Sequence, residues 1–236
     1  AALLSDGSVV AWGWGGGGDL TRVSRDVSGH PRVLRIYSSG GAFAALREDG
    51  SVVSWGDDEF NVYGGDSSAV ASSLSSGVVQ IYSTLTAFAA LKINGSVVVW
   101  GDSRFGGDVG DVSGDLGSGV SQIFSNSGAF VALKSDGSIV AWGDHYCGAD
   151  APPLRSAVTQ IFSSSFAFAA LMKDGSVVAW GSSIWGGDSS RVDFDGPNND
   201  LSVVSIFSNR YSFAALRSDG SVVAWGNPET GGWLNG

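Results

Sequence analysis

The 236-residue sequence has little cysteine, little positive charge and no long apolar run. Its single cysteine, Cys147, excludes an internal disulfide framework. The 13 lysines and arginines stand singly against 23 acidic residues, and the net charge is −10. No basic stripe is therefore available for the phosphates of a nucleic acid or for an anionic lipid surface. No apolar run approaches the roughly 18 residues that span a bilayer. We expect neither nucleic acid binding nor direct membrane insertion.

Glycine and apolar residues are abundant instead. The chain has 36 glycines, 43% apolar residues and only 15% charged residues. This composition is typical of a turn-rich all-β protein with a large buried fraction, and it argues against disorder. The first residues, Ala1-Ala2-Leu3-Leu4, already lie inside a repeat and follow no signal-peptide pattern. We expect the gene product to extend upstream of them.

One ten-residue stretch, Lys134 to Gly143, organises the chain because near-copies of it recur six times. Each copy ends in a Trp-Gly pair, and successive pairs are 38 to 45 residues apart. Because a closed repeat array is one cooperative unit, we predict a single domain over residues 1–236. Its repeat units are 1–43, 44–88, 89–130, 131–168, 169–213 and the partial unit 214–236.

Each unit contains three β-rich runs, which we call strands A, B and C. In one unit these are Val79–Ser83, Ala87–Leu91 and Val97–Gly101. The turn between B and C is Asp-Gly in five units and Asn94-Gly95 in the third. These dipeptides favour a two-residue type I′ hairpin, because both of its central residues take positive φ. Turn formation is the preferred role for these aspartates.

A two-residue turn at Asp136-Gly137 predicts the register of the hairpin. Leu133 would pair with Val140 and Val131 with Trp142, which gives one bulky apolar face. The opposite face would carry Ala132, Ala141 and Ile139. Sheets that are apolar on both faces must stack bulky face on small face, as the blades of a β-propeller do. The repeated tryptophans are interpreted as blade-packing residues.

After each Trp-Gly pair comes a variable stretch and then, in four units, Gly-Gly-Asp. The residues that follow, such as 67–74, are predicted to form a short helical turn or an outer strand D, with the aspartate as N-cap. A ring of these aspartates could alternatively attract Ca²⁺, but calcium-binding β-rolls repeat every nine residues, so capping or turn formation is favoured. The aspartates concerned are Asp19, Asp66, Asp108, Asp150 and Asp188.

The pattern Leu-x-x-Asp-Gly-Ser-Val-Val-x-Trp-Gly, preceded by Ile-Tyr/Phe-Ser, resembles the repeat of the RCC1-like (regulator of chromosome condensation) β-propeller family. The resemblance covers essentially the whole chain and implies an all-β propeller of six hairpin repeats. Six or seven blades are compatible with it, with strand A of the first blade supplied from outside this segment. The repeat resembles the shorter version found in a bacterial β-lactamase inhibitor propeller and in arrays from protist algae. The His that the family tends to carry before strand B is replaced by Ala42, Ala87, Ala129, Ala167 and Ser212.

The A-to-B and C-to-D loops are expected at one end of the blades, with the Asp-Gly turns at the other. These loops vary between units and carry aromatic residues and arginine, which is typical of a protein-binding surface. Drift in unconstrained loops is the alternative. Phe166, Trp185, Arg210 and Tyr211 together are the strongest candidates. The full set of predicted partner-binding residues is Trp14, Phe60, Tyr63, Leu85, Arg104, Phe105, His145, Tyr146, Phe166, Trp185, Arg210 and Tyr211.

No catalytic, cofactor or metal site is predicted. His145 and Cys147 are the nearest approach to a base and a nucleophile, but they lie on one loop and no third group orients them. No phosphate loop, zinc spacing or paired-acid motif is present. The Gly-Trp-Arg-His-Thr motif of a plant ultraviolet-B receptor with the same fold is also missing from the sequence.

The sequence therefore predicts a non-catalytic protein-interaction or scaffold subunit. The short-repeat resemblance implies a more specific version, an accessory subunit of a larger complex of a photosynthetic membrane in an alga, held in the chloroplast through its partner. The competing class is a regulator such as a guanine-nucleotide exchange factor, the activity of the founding family member.

Overall fold

In a computed structural model of the chain, residues 1–13, 18–21, 23–56, 63–196 and 201–233 are described. Short 3₁₀ turns lie at Ser68–Val70, Ser103–Phe105, Gly110–Ser113, His145–Cys147, Ser183–Trp185 and Pro228–Thr230. No helix in these ranges is long and apolar enough to cross a membrane. Seventeen strands are described: β1 Ala2–Leu3, β2 Val9–Val10, β3 Val33–Ser38, β4 Ala42–Arg47, β5 Val52–Gly56, β6 Val78–Ser83, β7 Ala87–Lys92, β8 Val97–Gly101, β9 Val120–Ser125, β10 Ala129–Lys134, β11 Ile139–Gly143, β12 Val158–Ser163, β13 Ala167–Met172, β14 Val177–Gly181, β15 Val203–Ser208, β16 Ser212–Arg217 and β17 Val222–Gly226.

The strands form six sheets, which we number in chain order. Sheet 1 is the pair β1–β2, and sheets 2 to 6 are three-stranded with consecutive strands as neighbours. The predicted strands A, B and C are therefore confirmed in sheets 2 to 6. Where strands A and B pair, the register shifts by one residue, for example between Val158 and Gln160. Such a bulge increases the local twist of the strand.

The chain divides into two compact units, Ala1–Ile123 and Phe124–Gly236. The first contains sheets 1 to 3. The second contains sheets 5 and 6 and strands β10 and β11 of sheet 4, and the boundary falls within β9. The single domain that the repeat pattern indicates stays a prediction.

The hairpin turn between strands B and C differs from the predicted one. In sheet 4 the Gly137 N–H donates to the Lys134 carbonyl at 2.9 Å, and the Lys134 N–H donates to the Ser138 carbonyl at 2.9 Å. Three residues, 135 to 137, therefore form the loop, with Gly137 at φ 84°. This is the three-residue hairpin that ends in a left-handed glycine, so the type I′ prediction was wrong. Asp136 accepts the Ser138 N–H at 2.9 Å, which confirms its role in the turn.

The longer loop moves the register by one residue. Phe130 pairs with Trp142, Val131 with Ala141 and Leu133 with Ile139. A shift of one residue places side chains on the opposite faces, so the predicted membership of the two faces was wrong. Each of sheets 2 to 6 has a Trp face, carrying the Phe of strand B and the Trp of strand C, and an Ala face behind it, carrying the small residues of strand B.

The sheets of one unit stack Trp face on Ala face. Phe168 and Trp180 of sheet 5 pack in one cluster with Ala129 and Val131 of sheet 4. The Phe168 and Trp180 rings stack with centroids 5.7 Å apart, and both are buried. Stacking of a bulky face on a small face is therefore confirmed, although with different members. The small Ala side chains leave room for the Phe–Trp pair of the next sheet.

Trp12 is the exception to the packing role predicted for the repeated tryptophans. It exposes 66% of its surface, whereas Trp55, Trp100, Trp142, Trp180 and Trp225 expose 3–4%. In the register of sheet 1, the residue opposite Trp12 would precede Ala1. The packing interpretation is therefore confirmed for the other five tryptophans and stays a prediction for Trp12.

The Gly-Gly-Asp motif joins one sheet to the next. The Gly186 carbonyl accepts the Trp225 Nε1–H at 3.0 Å, and Gly186 has φ 100°. A Cβ on Gly186 would lie 2.6 Å from the Phe213 ring, so only glycine fits at this close approach. The Asp188 carboxylate accepts the Ser190 N–H at 2.9 Å, which is a turn role.

The helical alternative for the residues after the motif is confirmed at Ser68–Val70. Asp66 accepts the Ser68 N–H at 2.8 Å, but Ser67 is the N-cap residue, so the predicted cap was one position too early. Within the described ranges, no fourth strand pairs with any sheet.

Candidate protein-interaction surface

The A-to-B and C-to-D loops meet at the same end of each sheet, which we call the loop end. Ser164 follows strand A of sheet 5, and its hydroxyl donates to the Trp185 carbonyl in the C-to-D loop at 3.0 Å. The same hydroxyl accepts the Ala167 N–H at 3.1 Å. Equivalent bonds join Ser39 to Tyr63, Thr84 to Phe105, Asn126 to Cys147 and Asn209 to Thr230. The predicted grouping of the loops is confirmed.

The recurrent Ser, Thr or Asn at these five positions was missed as a signal in the sequence. A short hydroxyl or amide side chain after a strand both caps the next backbone turn and reaches a neighbouring carbonyl. Its recurrence among otherwise unlike loop tips could have shown that the two loops are bonded to each other.

The loop tips of neighbouring sheets in the second unit are also linked through the backbone. The Ser127 N–H donates to the Ser165 carbonyl at 3.1 Å, and the Ser165 N–H donates to the Arg210 carbonyl at 2.9 Å. These bonds fix the A-to-B tips of sheets 4, 5 and 6 relative to one another. Side chains next to them are therefore held in place by the scaffold.

Four aromatic side chains form a continuous row on this loop end. The ring centroids are 6.0 Å apart for Tyr146 and Phe166, 6.0 Å for Phe166 and Trp185, and 4.5 Å for Trp185 and Tyr211. The rings are tilted against one another by 39–59°. We call Tyr146, Phe166, Trp185 and Tyr211 the aromatic row. It joins the C-to-D loops of sheets 4 and 5 to the A-to-B loops of sheets 5 and 6.

One hydrogen bond joins two side chains of the aromatic row, and an arginine lies at one end of it. The Trp185 Nε1–H donates to the Tyr146 hydroxyl at 3.0 Å. The Arg210 guanidinium lies over the Tyr211 ring, 5.1 Å from its centroid. Tyr146 exposes 53% of its surface, while Phe166, Trp185 and Tyr211 are partly buried. The row therefore presents an ordered apolar patch with an arginine at one end.

His145 and Cys147 flank Tyr146 but do not form a nucleophile and base. The His145 ring Nδ1 lies 2.7 Å from an Asp150 carboxylate oxygen, which gives Asp150 a role other than turn formation. The Cys147 thiol is buried, and burial together with the nearby Asp144 carboxylate raises its pKa to about 12. A thiol with this pKa stays protonated and is a poor nucleophile.

The remaining described residues of the predicted partner-binding set lie in the compact unit Ala1–Ile123. Arg104 lies over the Phe105 ring at 5.5 Å and binds the buried Asp102 carboxylate through two nitrogens at 3.1 and 2.7 Å. These hydrogen bonds from Arg104 hold the pKa of Asp102 below its ordinary value. Leu85 exposes 57% of its surface, and Tyr63 covers Gly41. Trp14 and Phe60 lie outside the described residues.

The described ranges contain no group of three or more His, Cys, Asp or Glu side chains that could hold a metal ion. The aspartates of the Gly-Gly-Asp motif accept backbone N–H groups two residues on, as Asp19 does from Thr21 and Asp108 from Gly110. The turn role that we favoured over Ca²⁺ binding is therefore confirmed for these residues.

No protein-family model matches the chain, and no curated protein sequence does. Solved structures do match it. The ectodomain of the receptor kinase CR4 of Physcomitrella patens is 16% identical, with a TM-score of 0.50 over 86% of this chain and 51% of that one. Human WBSCR16 is 19% identical, with a TM-score of 0.52 over 83% of this chain and 62% of that one.

Prp20p of Saccharomyces cerevisiae, the yeast RCC1, is 20% identical, with a TM-score of 0.52 over 86% of this chain and 58% of that one. The chain thus spans between about half and three fifths of these solved structures. Likeness at this level of identity shows the fold, which is an all-β propeller of the RCC1 type.

Proposed function

Starting from an RCC1-type propeller fold, we propose that the chain is a non-catalytic protein-interaction or scaffold subunit that binds a partner protein through its loop end. The observation that carries this proposal is the aromatic row. Trp, Tyr and Arg are the residues most enriched among those that dominate protein–protein binding energies. Here three such residues, Trp185, Arg210 and Tyr211, lie within one contiguous patch.

Preorganisation supports the same proposal. Association costs less when the binding side chains are already held in their bound positions. The Ser127–Ser165–Arg210 backbone bonds and the Trp185–Tyr146 hydrogen bond hold the row without help from a ligand. The remaining residues of the proposed surface are Trp14, Phe60, Tyr63, Leu85, Arg104, Phe105 and His145.

Two solved structures with this fold concern protein binding. The study of Prp20p addresses its binding to Gsp1p and histones, and another structure shows Kap60 bound to yeast RCC1. They support a protein as the class of partner.

The more specific proposal is an accessory subunit docked on a larger complex of a photosynthetic membrane. It rests on the resemblance of the short repeat to algal arrays. Its test is the migration of the native protein on a size-separating native gel. Migration with a large, pigment-containing complex is expected, and migration alone would contradict it.

The general proposal is tested by replacing Phe166 and Tyr211 with Ser and Trp185 and Arg210 with Ala in one variant. Because none of these side chains is fully buried, we expect the variant to keep its fold and to be lost from its native complex. A matched control is Ile184→Ala, since Ile184 shares the 3₁₀ turn of Trp185 and exposes 60% of its surface but has no ring contact in the row. Undiminished retention of the four-residue variant would refute the proposal.

A regulator of nucleotide exchange is the second candidate, favoured by the fold shared with yeast RCC1. It predicts that the chain accelerates release of labelled guanine nucleotide from a small GTPase at catalytic concentrations. A release rate equal to that of the GTPase alone would exclude this activity for the GTPase tested.

A further inference from the structure

Charge at the loop end of the second unit is mostly negative. Its A-to-B and C-to-D loops carry four carboxylates and Arg210, and Arg191 follows three residues after Asp188. The carboxylates are Asp144, Asp150, Asp188 and Glu229. Hydrogen bonds from Ser190, together with the positive charge of Arg191, lower the pKa of Asp188, so this group is ionised at neutral pH. A surface of one sign attracts partners of the other sign, and the whole chain adds to this field with its net charge of −10.

The chain itself shows how a cation sits on these loops. Arg210 places its guanidinium 5.1 Å from the Tyr211 ring centroid, and Arg104 places its own 5.5 Å from that of Phe105. In both cases the guanidinium carbon lies over an aromatic ring of a loop-end tip. A guanidinium therefore lies over the ring of the next residue at two places of the loop end, one in each unit.

The open part of the row lies at its other end. Arg210 covers the Tyr211 ring, whereas no arginine or lysine of the described residues lies over Phe166, Trp185 or Tyr146. Asp150 is on the C-to-D loop that carries Tyr146, and its only described ionic partner is the ring of His145. Because the Trp185 Nε1–H is used by the Tyr146 hydroxyl, Trp185 offers a partner its ring and not its donor.

Resting on the function proposed above, we infer that the row from Tyr146 to Trp185 binds an arginine side chain of the partner protein. The guanidinium stacks on Trp185 and Phe166, and Asp150 supplies the carboxylate that pairs with it. Arginine fits better than lysine, because a planar and weakly hydrated guanidinium stacks on aromatic rings while an ammonium group keeps its water.

The test uses the whole chain, labelled with ¹⁵N, and follows the Trp185 Nε1–H signal by NMR. That signal is assigned by its loss in Trp185→Phe. N-acetyl-arginine amide is the probe, and N-acetyl-citrulline amide is its neutral twin of nearly the same shape. We expect saturable shifts of the Trp185 signal by the arginine probe, with a Kd of about 1–10 mM, and shifts at least about tenfold smaller by the citrulline probe.

Variants of this chain test the ring and the carboxylate of the proposed site separately. Phe166→Ala removes one ring and should weaken the arginine probe about threefold or more. Asp150→Asn keeps the shape of the side chain. It should weaken binding of the arginine probe mainly at low salt, because exposed charges are screened over about 10 Å at 0.1 M salt. Ile184→Ala is the matched control and should leave binding unchanged.

Equal shifts by arginine and citrulline, or no shift by either at concentrations near 50 mM, would overturn the inference. N-acetyl-proline amide serves as a third probe and tests for a proline-rich partner. Larger shifts of the Trp185 signal with this probe than with the arginine probe would also overturn the inference. If the arginine inference fails but the four-residue variant is still lost from its native complex, the proposed function is supported without it. Retention of that variant in the complex would refute both the inference and the proposed function.

Discussion

Phe166 and Phe168 are only two residues apart, yet each belongs to a different kind of aromatic pair. Phe168 stacks on Trp180 at 5.7 Å inside sheet 5, and both rings are buried. Phe166 contacts Trp185 at 6.0 Å on the loop end, where both rings are partly exposed. The same ring chemistry therefore serves packing in one place and is available for recognition in the other. What decides between them is whether the next sheet covers the rings.

The two kinds also differ along the sequence. A Phe–Trp pair stacks in each of sheets 2 to 6, with centroids 5.1–5.7 Å apart. The position of Phe166 is Gly41, Thr86, Gly128 and Tyr211 in the other sheets, so the row is a feature of one region. Stacking of the sheets explains the Phe–Trp pair that sheets 2 to 6 share. It does not explain the aromatic row, which is present in one region only.

The largest effect that separates the two regions is expected for Phe168→Ala. Truncating a fully buried Phe typically costs about 3–5 kcal/mol, whereas Phe166→Ala should cost about 1–2 kcal/mol, because Phe166 is only partly buried where it packs against the same core cluster. Urea denaturation followed by circular dichroism measures both variants. Equal losses would break the distinction between packing rings and surface rings.

A somewhat smaller effect is expected at the glycines that join neighbouring sheets. Gly186→Ala forces a left-handed alanine and a Cβ 2.6 Å from the Phe213 ring, and should cost about 2–4 kcal/mol. Gly231→Ala is the matched control, because φ is 96° but no atom of the described residues lies within 4 Å of a Cβ there, so only the backbone cost of about 1–2 kcal/mol is expected. A shift in thermal midpoint that is the same for both would show that the contact with Phe213 contributes nothing.

The hairpin turns should give a smaller, pH-dependent effect at the end of the sheets opposite the row. Hydrogen bonds from the Ser138 hydroxyl and N–H lower the pKa of Asp136, and Asp174 and Asp219 are held in the same way. A lowered pKa in the folded state stabilises the fold above the unfolded value of about 3.9, and this contribution is lost as pH falls through the lower folded value. Asp136→Asn introduces the residue that the third sequence repeat has at this turn position, Asn94. It should reduce the loss of stability between about pH 5 and pH 2. An unchanged pH profile would contradict the role of these hydrogen bonds.

The smallest expected effect concerns Cys147, beside the row. Because burial raises the pKa of the thiol to about 12, we expect almost no reaction with a thiol reagent near pH 8 in the folded chain. Reaction should become complete in denaturant. Rapid labelling of the native chain would mean that the loop around Tyr146 opens and would weaken the case for a preorganised row.

The sequence was a good guide to the architecture and a poorer one to its register. Trp-Gly spacing and the Val-rich runs were enough to locate strands A, B and C. Asp-Gly, however, is compatible with two-residue and three-residue hairpin loops, and the choice between them decided whether Val131 or Phe130 pairs with Trp142. The Asp136 bond to Ser138, two residues on, accompanies the longer loop and was not used as a signal.

The four rings of the row were all among the predicted partner-binding residues, but the contacts between them were not predicted. Phe166, Trp185, Arg210 and Tyr211 were singled out as loop residues of unusual type. That Tyr146 completes the row could not be seen, because its contacts with Phe166 and Trp185 depend on how far neighbouring sheets are offset when they stack. Such offsets follow from packing between repeats and have no local signature.

The most direct test of the division between scaffold and binding surface is hydrogen–deuterium exchange of the chain alone and in its native complex. We predict added protection in residues 144–150, 164–166, 182–188 and 209–211 of the loop end, and none at the hairpin turns around Asp136, Asp174 and Asp219. Protection confined to those turns would contradict the central claim that the partner binds at the loop end.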